Sequence, residues 1–202
     1  MTAAGGPLAI KICGLRSPDE VAWALEAGAT FGGAVLANSR RQVSLDVASA
    51  MATAFPGRVV AVVRGVPDRT WENLWTLPWG GLQVYDRPAA AWIPRARADG
   101  RLAIEPVATR GAADADVWLW DGPVPGSGQA WTRPGVPRPD HRLWVAGGLT
   151  PANVGAVLTR WRPDGVDVSS GVEDRGRKSR TLIQDFVQEV RQWEQDQDQR
   201  ST

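Results

Sequence analysis

A lysine and the only cysteine of the chain stand two positions apart, at Lys11 and Cys13. They follow the apolar run 8–10 and precede Gly14, a pattern typical of a short buried strand. Because successive side chains of a strand point to opposite faces, residues 11 and 13 share one face. The spacing therefore predicts a cation and a thiol at a strand end, where the cation can lower the pKa of the thiol toward a reactive thiolate.

A free cysteine is more often a small buried apolar residue without a chemical role, and spacing alone leaves that alternative open. Residue usage favours a special role for the lysine. The chain has 23 basic residues, and only Lys11 and Lys178 among them are lysine. In a chain so rich in arginine, lysine is expected where a compact ammonium on a flexible stem is needed.

Eight short apolar runs alternate with helical patterns along the chain. The predicted strands lie near residues 8–14, 31–36, 58–63, 81–85, 102–107, 117–121, 142–148 and 165–171, and helices are predicted at 18–27, 45–55, 68–77, 88–98, 151–161 and 181–193. This alternation implies eight parallel strands joined by crossover connections. Eight such units favour an α/β fold of the (β/α)8 TIM-barrel type, with an open doubly wound sheet as the alternative. We predict a single barrel domain over residues 1–193 and a disordered polar tail over 194–202.

Closure of such a barrel would make the last strand a neighbour of the first. Alternation then brings Asp167 within reach of Lys11, and the two can pair, either as part of a site or as a structural ion pair in the barrel floor. Polar residues and glycines collect after the predicted strands, where active sites of this fold lie: Cys13, Arg41, Asp121, Gly147, Gly148, Ser169 and Ser170.

The loops after the last two strands have the composition of an anion site. Gly147 and Gly148 follow one strand, and Ser169, Ser170 and Gly171 follow the next, so both loops offer backbone N–H groups to a phosphate. Phosphate sites of this fold often include the N-terminus of a short extra helix, and residues 173–178 are the candidate for it.

Composition narrows the class of partner. The formal net charge is +1 with acidic and basic residues interspersed, which gives no electrostatic reason to expect nucleic acid or a membrane surface. No apolar run approaches the length that spans a bilayer, and the N-terminus lacks the pattern of a secretion signal. We therefore expect a cytoplasmic protein that binds a small molecule; the oligomeric state is not predicted.

Several motifs in combination resemble one enzyme family over nearly the whole chain. They are Lys-Ile-Cys-Gly at 11–14, Ser39 and Arg41 before Val43-Ser44, Asp121 followed by Gly-Ser-Gly at 126–128, Ala-Gly-Gly-Leu at 146–149 followed by Asn153-Val154, and Val-Asp-Val-Ser-Ser-Gly-Val-Glu at 166–173. The sequence in this respect is similar to the phosphoribosylanthranilate isomerases of tryptophan biosynthesis.

The resemblance implies a reaction and a set of roles. The family converts N-(5-phosphoribosyl)anthranilate into its ribulose form by an Amadori rearrangement, without cofactor or metal. An acid protonates the furanose oxygen, the ring opens to an imine, and a base removes the C2 proton. By position, Cys13 matches the base, Arg41 the group facing the anthranilate carboxylate, Asp167 a carboxylate of the substrate site, and the loops 147–148 and 169–171 the phosphate cradle.

The chain departs from the family at the general acid. The family continues after strand six into Phe-Asp-Trp, whose aspartate is the acid, whereas this chain has Thr132 at that position of the substrate site. An alcohol is too weak an acid to replace a carboxyl group near neutral pH. The family's Gln-Leu-His-Gly after strand four has likewise become residues 83–86, with Tyr85 in place of the histidine.

Three explanations compete for the missing acid. Asp121 or Asp86 can supply the proton, the carboxylate of the substrate can do so, or the protein binds the substrate type with weak or no turnover. We rank Asp121 first because it belongs to the strand and loop that lack the acid, although it can equally be a structural cap of its loop. A phosphosugar-binding barrel without catalysis and another phosphosugar isomerase of related barrel type are the alternative functions.

Overall fold

The computed structural model describes residues 6–107, 114–122 and 142–201. Its central sheet consists of eight strands, β1 (Ala9–Cys13), β2 (Phe31–Val35), β3 (Val59–Val63), β4 (Gly81–Val84), β5 (Leu102–Val107), β6 (Val117–Asp121), β7 (Arg142–Ala146) and β8 (Gly165–Val168). Each strand pairs in parallel with the next, and β8 pairs with β1, so the sheet closes into a barrel. The predicted (β/α)8 fold is confirmed, and the open doubly wound sheet is excluded.

Helices follow six of these strands in the described residues. They are α1 (Pro18–Glu26), α2 (Leu45–Ala54), α3 (Asp68–Leu74), α4 (Ile93–Ala98), α5 (Pro151–Trp161) and α6 (Arg180–Ser201). Side-chain capping fixes several of their starts: the Ser17 hydroxyl accepts a hydrogen bond from the Glu20 N–H at 3.2 Å, as expected for an N-cap serine. Within the described ranges, no helix combines the length and apolar character that crossing a membrane requires.

Two helices differ from the sequence prediction. The single helix expected at 88–98 is a 3₁₀ turn, Ala89–Ala91, followed by α4. Pro94 explains the break, because proline has no N–H to donate to the preceding turn and is tolerated only in the first turn of a helix. At the other end of the chain, α6 continues through residues 194–201, where we expect a disordered tail.

Contacts of Glu194 anchor the beginning of the extra part of α6. Its carboxylate accepts hydrogen bonds from the Leu8 N–H at 2.5 Å and from Arg191 at 2.6 Å, and Arg191 also donates to the Leu8 carbonyl at 3.1 Å. Charged side chains of the last helix are thereby bonded to the segment that enters β1. The polar composition of residues 194–201 predicts fraying, because these long-range hydrogen bonds cannot be read from composition.

The strands separate two apolar clusters. The larger lies between the strands and the helices and includes Ile10 and Ile12 of β1 and Trp118 of β6. The smaller fills the barrel and includes Val60, Val62, Ile104, Val117, Leu119, Trp144 and Ala146. Since side chains alternate along a strand, Lys11 and Cys13 of β1 and Asp121 of β6 face the interior. The outward apolar residues therefore determine which polar residues reach the mouth of the barrel.

The loops after β7 and β8 pack directly against each other. A Cβ atom added at Gly171 would lie 1.7 Å from the carbonyl oxygen of Leu149 and 3.0 Å from the Cα of Thr150. No side chain fits between these backbones. Only a residue without a Cβ allows the two loops to approach in this way.

Replacement of Gly171 by alanine should therefore destabilise the fold. We expect Gly171→Ala to lower the free energy of unfolding by about 1–3 kcal/mol, as for other overpacked sites, and the Tm by several degrees. Gly155→Ala in α5 is the matched control, because its Cβ would meet nothing within 4 Å and alanine is the better helix former. Thermal unfolding followed by circular dichroism measures both; equal Tm values for Gly171→Ala and the parent protein would contradict the steric argument.

Candidate active site

A buried ion pair lies beneath the mouth of the barrel. The Nζ atom of Lys11 is 2.8 Å from Oδ2 of Asp167, and the two residues are register partners between β1 and β8. The Lys11 side chain is fully buried, and that of Asp167 is 6% exposed. The predicted pairing is confirmed. The second oxygen of Asp167, Oδ1, is buried and has no hydrogen-bond partner within the described part of the chain, so it can accept one from a ligand.

The protonation of this pair follows from its surroundings. Burial acts to lower the pKa of Lys11, but the charge of the Asp167 carboxylate outweighs it and raises that pKa, so the lysine stays protonated. Burial raises the pKa of Asp167, against the effect of Lys11. The barrel floor therefore holds a permanent cation whose charge is largely committed to one carboxylate.

Cys13 lies above Lys11 on the same face of β1 and is half-buried. Burial raises the pKa of its thiol; Lys11 acts in the opposite direction, and Asp167 raises the pKa further. Lys11 thus lowers the pKa of Cys13, as expected, but the net shift is upward, so the expected reactive thiolate does not form in the free protein. The cation is present, but it is bonded to Asp167 and does not offset the loss of water around the sulfur.

Asp121 ends β6 on the interior face, three strands from β1 around the barrel. Asp121 is exposed to solvent, but partial burial of its carboxyl group raises its pKa, and the charge of Asp167 adds to this shift. A Cβ atom at Gly147 would lie 2.8 Å from the Asp121 Oδ1 atom, so this carboxyl group lies against the first glycine loop. The structure thus brings Asp121 to the same mouth as Cys13.

Tyr85 is a further residue of the mouth, and the sequence identified it only as a departure from the family. It follows β4, and its hydroxyl accepts a hydrogen bond of 2.8 Å from Nε2 of the buried Gln83. The residue is 41% exposed, but partial burial of its hydroxyl raises the pKa of Tyr85 to about 12, against the effect of Lys11. The phenol therefore remains a neutral hydrogen-bond donor at neutral pH.

Asp86, the second candidate for the acid, is exposed and tied into a loop. Its Oδ2 atom accepts a hydrogen bond of 2.5 Å from the Gly65 N–H. This contact joins the loop after β4 to the loop after β3. A carboxylate in that place acts as a loop cap and is a poor candidate for proton donation to a ligand.

Arg41, from the loop after β2, is bound by a residue that the sequence did not assign. Its Nε atom is 2.5 Å from Oε1 of Glu173, and its Nη2 atom is 3.0 Å from Oε2. The Nζ atom of Lys178 is 3.0 Å from the same Oε1 and 2.8 Å from the carbonyl of Ser169.

Burial acts to raise the pKa of Glu173, but the hydrogen bonds and charges of Arg41 and Lys178 outweigh it and lower that pKa to about 2. Burial lowers the pKa of Lys178, and Glu173 opposes that shift.

Residues 173–178 form a hairpin and not the short extra helix that we expect from the fold. The strands β9 (Glu173–Asp174) and β10 (Arg177–Lys178) are antiparallel and pair Glu173 with Lys178. Both turn residues, Arg175 and Gly176, have positive φ, 47° and 77°, the pattern of a type I′ hairpin. Two successive residues with positive φ cannot continue a right-handed helix, and they reverse the direction of the chain so that β10 pairs with β9.

The predicted phosphate loops lie together, although one of their side chains has another partner. Gly147 and Gly148 have φ values of 91° and 57°, which glycine adopts without strain. Ser170 and Gly171 belong to a 3₁₀ turn, Ser170–Val172. The hydroxyl of Ser169 donates a hydrogen bond of 3.0 Å to the Cys13 carbonyl, so backbone N–H groups are the main donors left for an anion.

One predicted site residue, Thr132, lies outside the described residues. It is assigned to the substrate site because it stands at the position of the family's acid. Over residues 6–107, 114–122 and 142–201, no three histidine, cysteine or carboxylate side chains lie close enough to hold a metal ion.

The raised pKa of Cys13 gives a direct chemical test. At neutral pH a smaller fraction of this thiol than of an ordinary one is ionised, so its alkylation by iodoacetamide should be slow and should still accelerate above pH 9. The rate should become ordinary in denaturant. Because the chain has a single cysteine, mass spectrometry reads this one site. A rate that levels off below about pH 8.5, the usual pKa of an exposed thiol, would contradict the burial argument.

Comparison with known proteins identifies relatives along the whole barrel. The family model described as N-(5'phosphoribosyl)anthranilate (PRA) isomerase matches residues 93–189. The protein named N-(5'-phosphoribosyl)anthranilate isomerase of Streptococcus mutans is 34% identical over 192 residues, which cover 90% of this chain and 98% of that protein. The protein of the same name from a Streptococcus pneumoniae strain is 34% identical over 195 residues, 90% of this chain and 95% of that one.

Solved structures agree with this result. The crystal structure of TrpF from Jonesia denitrificans is 31% identical with a TM-score of 0.76, and the match covers 93% of this chain and 98% of that one. N-(5'-phosphoribosyl)anthranilate isomerase from Pyrococcus furiosus is 27% identical with a TM-score of 0.74, covering 92% and 99% of the two chains. With curated relatives above 30% identity along nine-tenths of its length, the chain belongs to the N-(5'-phosphoribosyl)anthranilate isomerase family.

Proposed function

We propose that this protein converts N-(5-phosphoribosyl)anthranilate into 1-(2-carboxyphenylamino)-1-deoxyribulose 5-phosphate, an intramolecular aldose–ketose isomerisation of tryptophan biosynthesis. The observation that carries the proposal is the shared mouth of Cys13 and Asp121, a thiol and a carboxyl group on the inward faces of β1 and β6 above the Lys11–Asp167 pair. The glycine loops lie beside them. Membership of the family supports the choice of substrate.

The reaction needs one proton donor and one proton acceptor. Protonation of the furanose ring oxygen opens the ring to an imine that carries positive charge, and removal of the C2 proton gives an enolamine, which tautomerises to the ketone. Oxidation of C2 and reduction of C1 balance within the molecule. Two side chains placed on opposite sides of the sugar are therefore enough for the chemistry.

Asp121 suits the role of the acid. Its raised pKa keeps a larger fraction of the carboxyl group protonated near neutral pH. It also lies against Gly147, in one of the loops assigned to the phosphate. A bound phosphate would add negative charge nearby and raise the pKa of Asp121 further, so the substrate itself would favour the protonated acid.

Cys13 suits the role of the base only once it is ionised. The active form would have Asp121 protonated and Cys13 deprotonated, the reverse of the order in which the two groups ordinarily lose their protons. Lys11 and Lys178 both lower the pKa of Cys13, and the positive charge of the ring-opened imine would act in the same direction. Ionisation of the thiol would then accompany ring opening.

The remaining contacts fit the two ends of the substrate. Arg41 would bind the anthranilate carboxylate and the loops 147–148 and 169–171 the phosphate, while the unpaired Oδ1 of Asp167 would accept a hydrogen bond from a sugar hydroxyl or the amine. Thr132 is assigned to the same substrate site from its position in the sequence. A cytoplasmic location stays a prediction.

Thr132 favours one alternative function. With an alcohol at the family's acid position, the chain can be a barrel that binds the phosphosugar with weak or no turnover. That protein would bind the substrate type through the same loops and Arg41. Turnover therefore separates the two functions, and binding does not.

Steady-state turnover of phosphoribosylanthranilate, followed by loss of anthranilate-type fluorescence, tests the two assigned roles. We expect Cys13→Ala and Asp121→Asn each to lower kcat by about 10²–10⁴, the usual contribution of a general acid or base. Asp86→Asn is the matched control, because that carboxylate caps the Gly65 N–H and should leave kcat nearly unchanged. Unchanged turnover in Cys13→Ala would remove the assigned base; no turnover in the parent protein, with ligand binding retained, would favour the alternative.

The position of Thr132 provides a gain-of-function test. If this residue stands where the family has its acid, Thr132→Asp should raise kcat by about tenfold or more, since a carboxyl group is a far stronger acid than an alcohol. Thr132→Ser, which keeps the hydroxyl, is the control and should not raise it. In the Thr132→Asp background, Asp121→Asn should cost less than in the parent chain. A lower kcat in Thr132→Asp would show that position 132 does not face the reacting oxygen.

A further inference from the structure

Besides the exposed Arg40, Glu173 connects two largely buried cations that belong to separate parts of the barrel mouth. It contacts Arg41 through both carboxylate oxygens, at 2.5 and 3.0 Å, in a two-pronged arrangement. Lys178 contacts the same carboxylate at 3.0 Å. The side chains of Glu173 and Lys178 are 5% and 2% exposed, and that of Arg41 is 18% exposed. These bonds are thus largely shielded from water, where charge-assisted pairs are strongest.

The geometry leaves part of the Arg41 guanidinium outside the pair. A guanidinium has five N–H donors in a rigid plane, and Glu173 accepts from Nε and Nη2. The edge formed by Nη1 and the outer N–H of Nη2 is directed away from Glu173. Its planar fork matches a second carboxylate, which can be held by two parallel hydrogen bonds.

Gly14 holds the stem of Arg41 from the other side. A Cβ atom at this residue would lie 2.4 Å from the Arg41 Cδ, and Gly14 has a φ of 77°. The arginine stem therefore crosses the backbone immediately after Cys13. Between Gly14 and Glu173 the guanidinium has little freedom, and it lies on the thiol side of the mouth.

The charges of these three residues indicate that Glu173 does more than neutralise one cation. Glu173 carries one negative charge at neutral pH, since its pKa is lowered to about 2, and Arg41 and Lys178 carry two positive ones. The cluster of these three residues keeps a net positive charge next to the candidate base. An anionic group of the substrate can be attracted there without leaving either buried cation unpaired.

The hairpin 173–178 is the element that builds this cluster. Its register places Glu173 opposite Lys178, and Lys178 also donates to the Ser169 carbonyl at 2.8 Å. The Ser169 hydroxyl in turn donates to the Cys13 carbonyl at 3.0 Å. The hairpin is thus bonded to the end of β8 and, through Ser169, to the end of β1.

We propose that Glu173 is a positioning residue that holds Arg41 with its outer edge toward the carboxylate on the aromatic ring of the substrate. This inference rests on the proposed function, which supplies the substrate carboxylate. Glu173 does not touch the substrate; it acts through the orientation of Arg41. Removal of its charge should weaken the recognition of the carboxylate and leave the recognition of the phosphate nearly intact.

The test compares two ligands by calorimetry. One is the reduced product, with its 2-carboxyphenylamino group, and the other is the same molecule without the ring carboxyl group. In Glu173→Gln we expect affinity for the first to fall about tenfold, because an amide cannot accept both Arg41 hydrogen bonds, and affinity for the second to change little. With substrate, KM should rise more than kcat falls.

Further variants separate positioning from a structural role. Glu173→Asp, which keeps the charge, should recover part of the selectivity for the carboxylated ligand. Arg40→Ala is the control. Arg40 also pairs with Glu173, but its side chain is 65% exposed and the contact is long, 3.4 Å, so we expect both affinities to stay nearly unchanged. In an Arg41→Ala background, Glu173→Gln should have no additional effect on the selectivity, as expected for residues that act as one unit.

Several outcomes would overturn the inference. Equal losses of affinity for the two ligands in Glu173→Gln would indicate a structural role or an effect through Lys178 on the phosphate loops. Tighter binding of the carboxylated ligand would mean that Glu173 competes with it for Arg41. Absence of turnover in the parent protein would refute the proposed activity alone, because the two ligands still report on selectivity.

Discussion

The Lys11–Asp167 ion pair constrains the rest of the structure. It lies at the seam where β8 closes on β1, and both side chains point into the barrel among apolar residues. Loss of one partner from such a pair leaves a buried charge uncompensated, which typically costs about 3–5 kcal/mol. Both strands must therefore keep their register, because a shift by one residue would turn Lys11 or Asp167 to the outer face. The pair also places opposing charges beneath the thiol, because Lys11 lowers and Asp167 raises the pKa of Cys13.

Both lysines of the chain are buried and paired with carboxylates, Lys11 with Asp167 and Lys178 with Glu173. The arginines that form surface pairs, such as Arg95 and Arg180, are about half exposed. An ammonium occupies less space than a guanidinium and fits within a barrel whose interior has room for few polar atoms. The polar mouth is thus organised as two neutralised cations around Cys13. Arg41 adds the positive charge that remains for an anionic ligand.

Local patterns predicted much of the fold. Eight alternating strand and helix patterns predicted the barrel. Closure of that barrel, together with strand alternation, placed Asp167 beside Lys11, because the side-chain period and the strand order determine which residues meet at the seam. The helix expected at 88–98 is interrupted at Pro94, and this local effect of proline is predictable from the sequence. The extent of α6 is not predictable in this way, because Glu194 is bonded to Leu8, 186 residues away along the chain.

The candidate site was predicted less completely, for physical reasons. Cys13, Asp121 and Asp167 could be selected as candidates because they lie at or near the ends of strands, on the inward face. The contact between Glu173 and Lys178 was not predicted, because the segment 173–178, expected as a short helix of the phosphate site, forms a hairpin that pairs these two residues. The direction of the Cys13 pKa shift depends on how burial and the charges of Lys11 and Asp167 balance. Spacing in a sequence does not contain that balance.

The position of the ion pair along the chain has a consequence for how the molecule assembles. Lys11 and Asp167 are 156 residues apart, so the lysine has no partner until nearly the whole barrel has been made. A partly folded chain that buried β1 early would bury an unpaired ammonium, which is strongly unfavourable. Contacts of such high sequence separation are slow to form, so we expect the first strand to stay hydrated until the last one arrives. Closure of the barrel would then also complete the floor beneath the thiol.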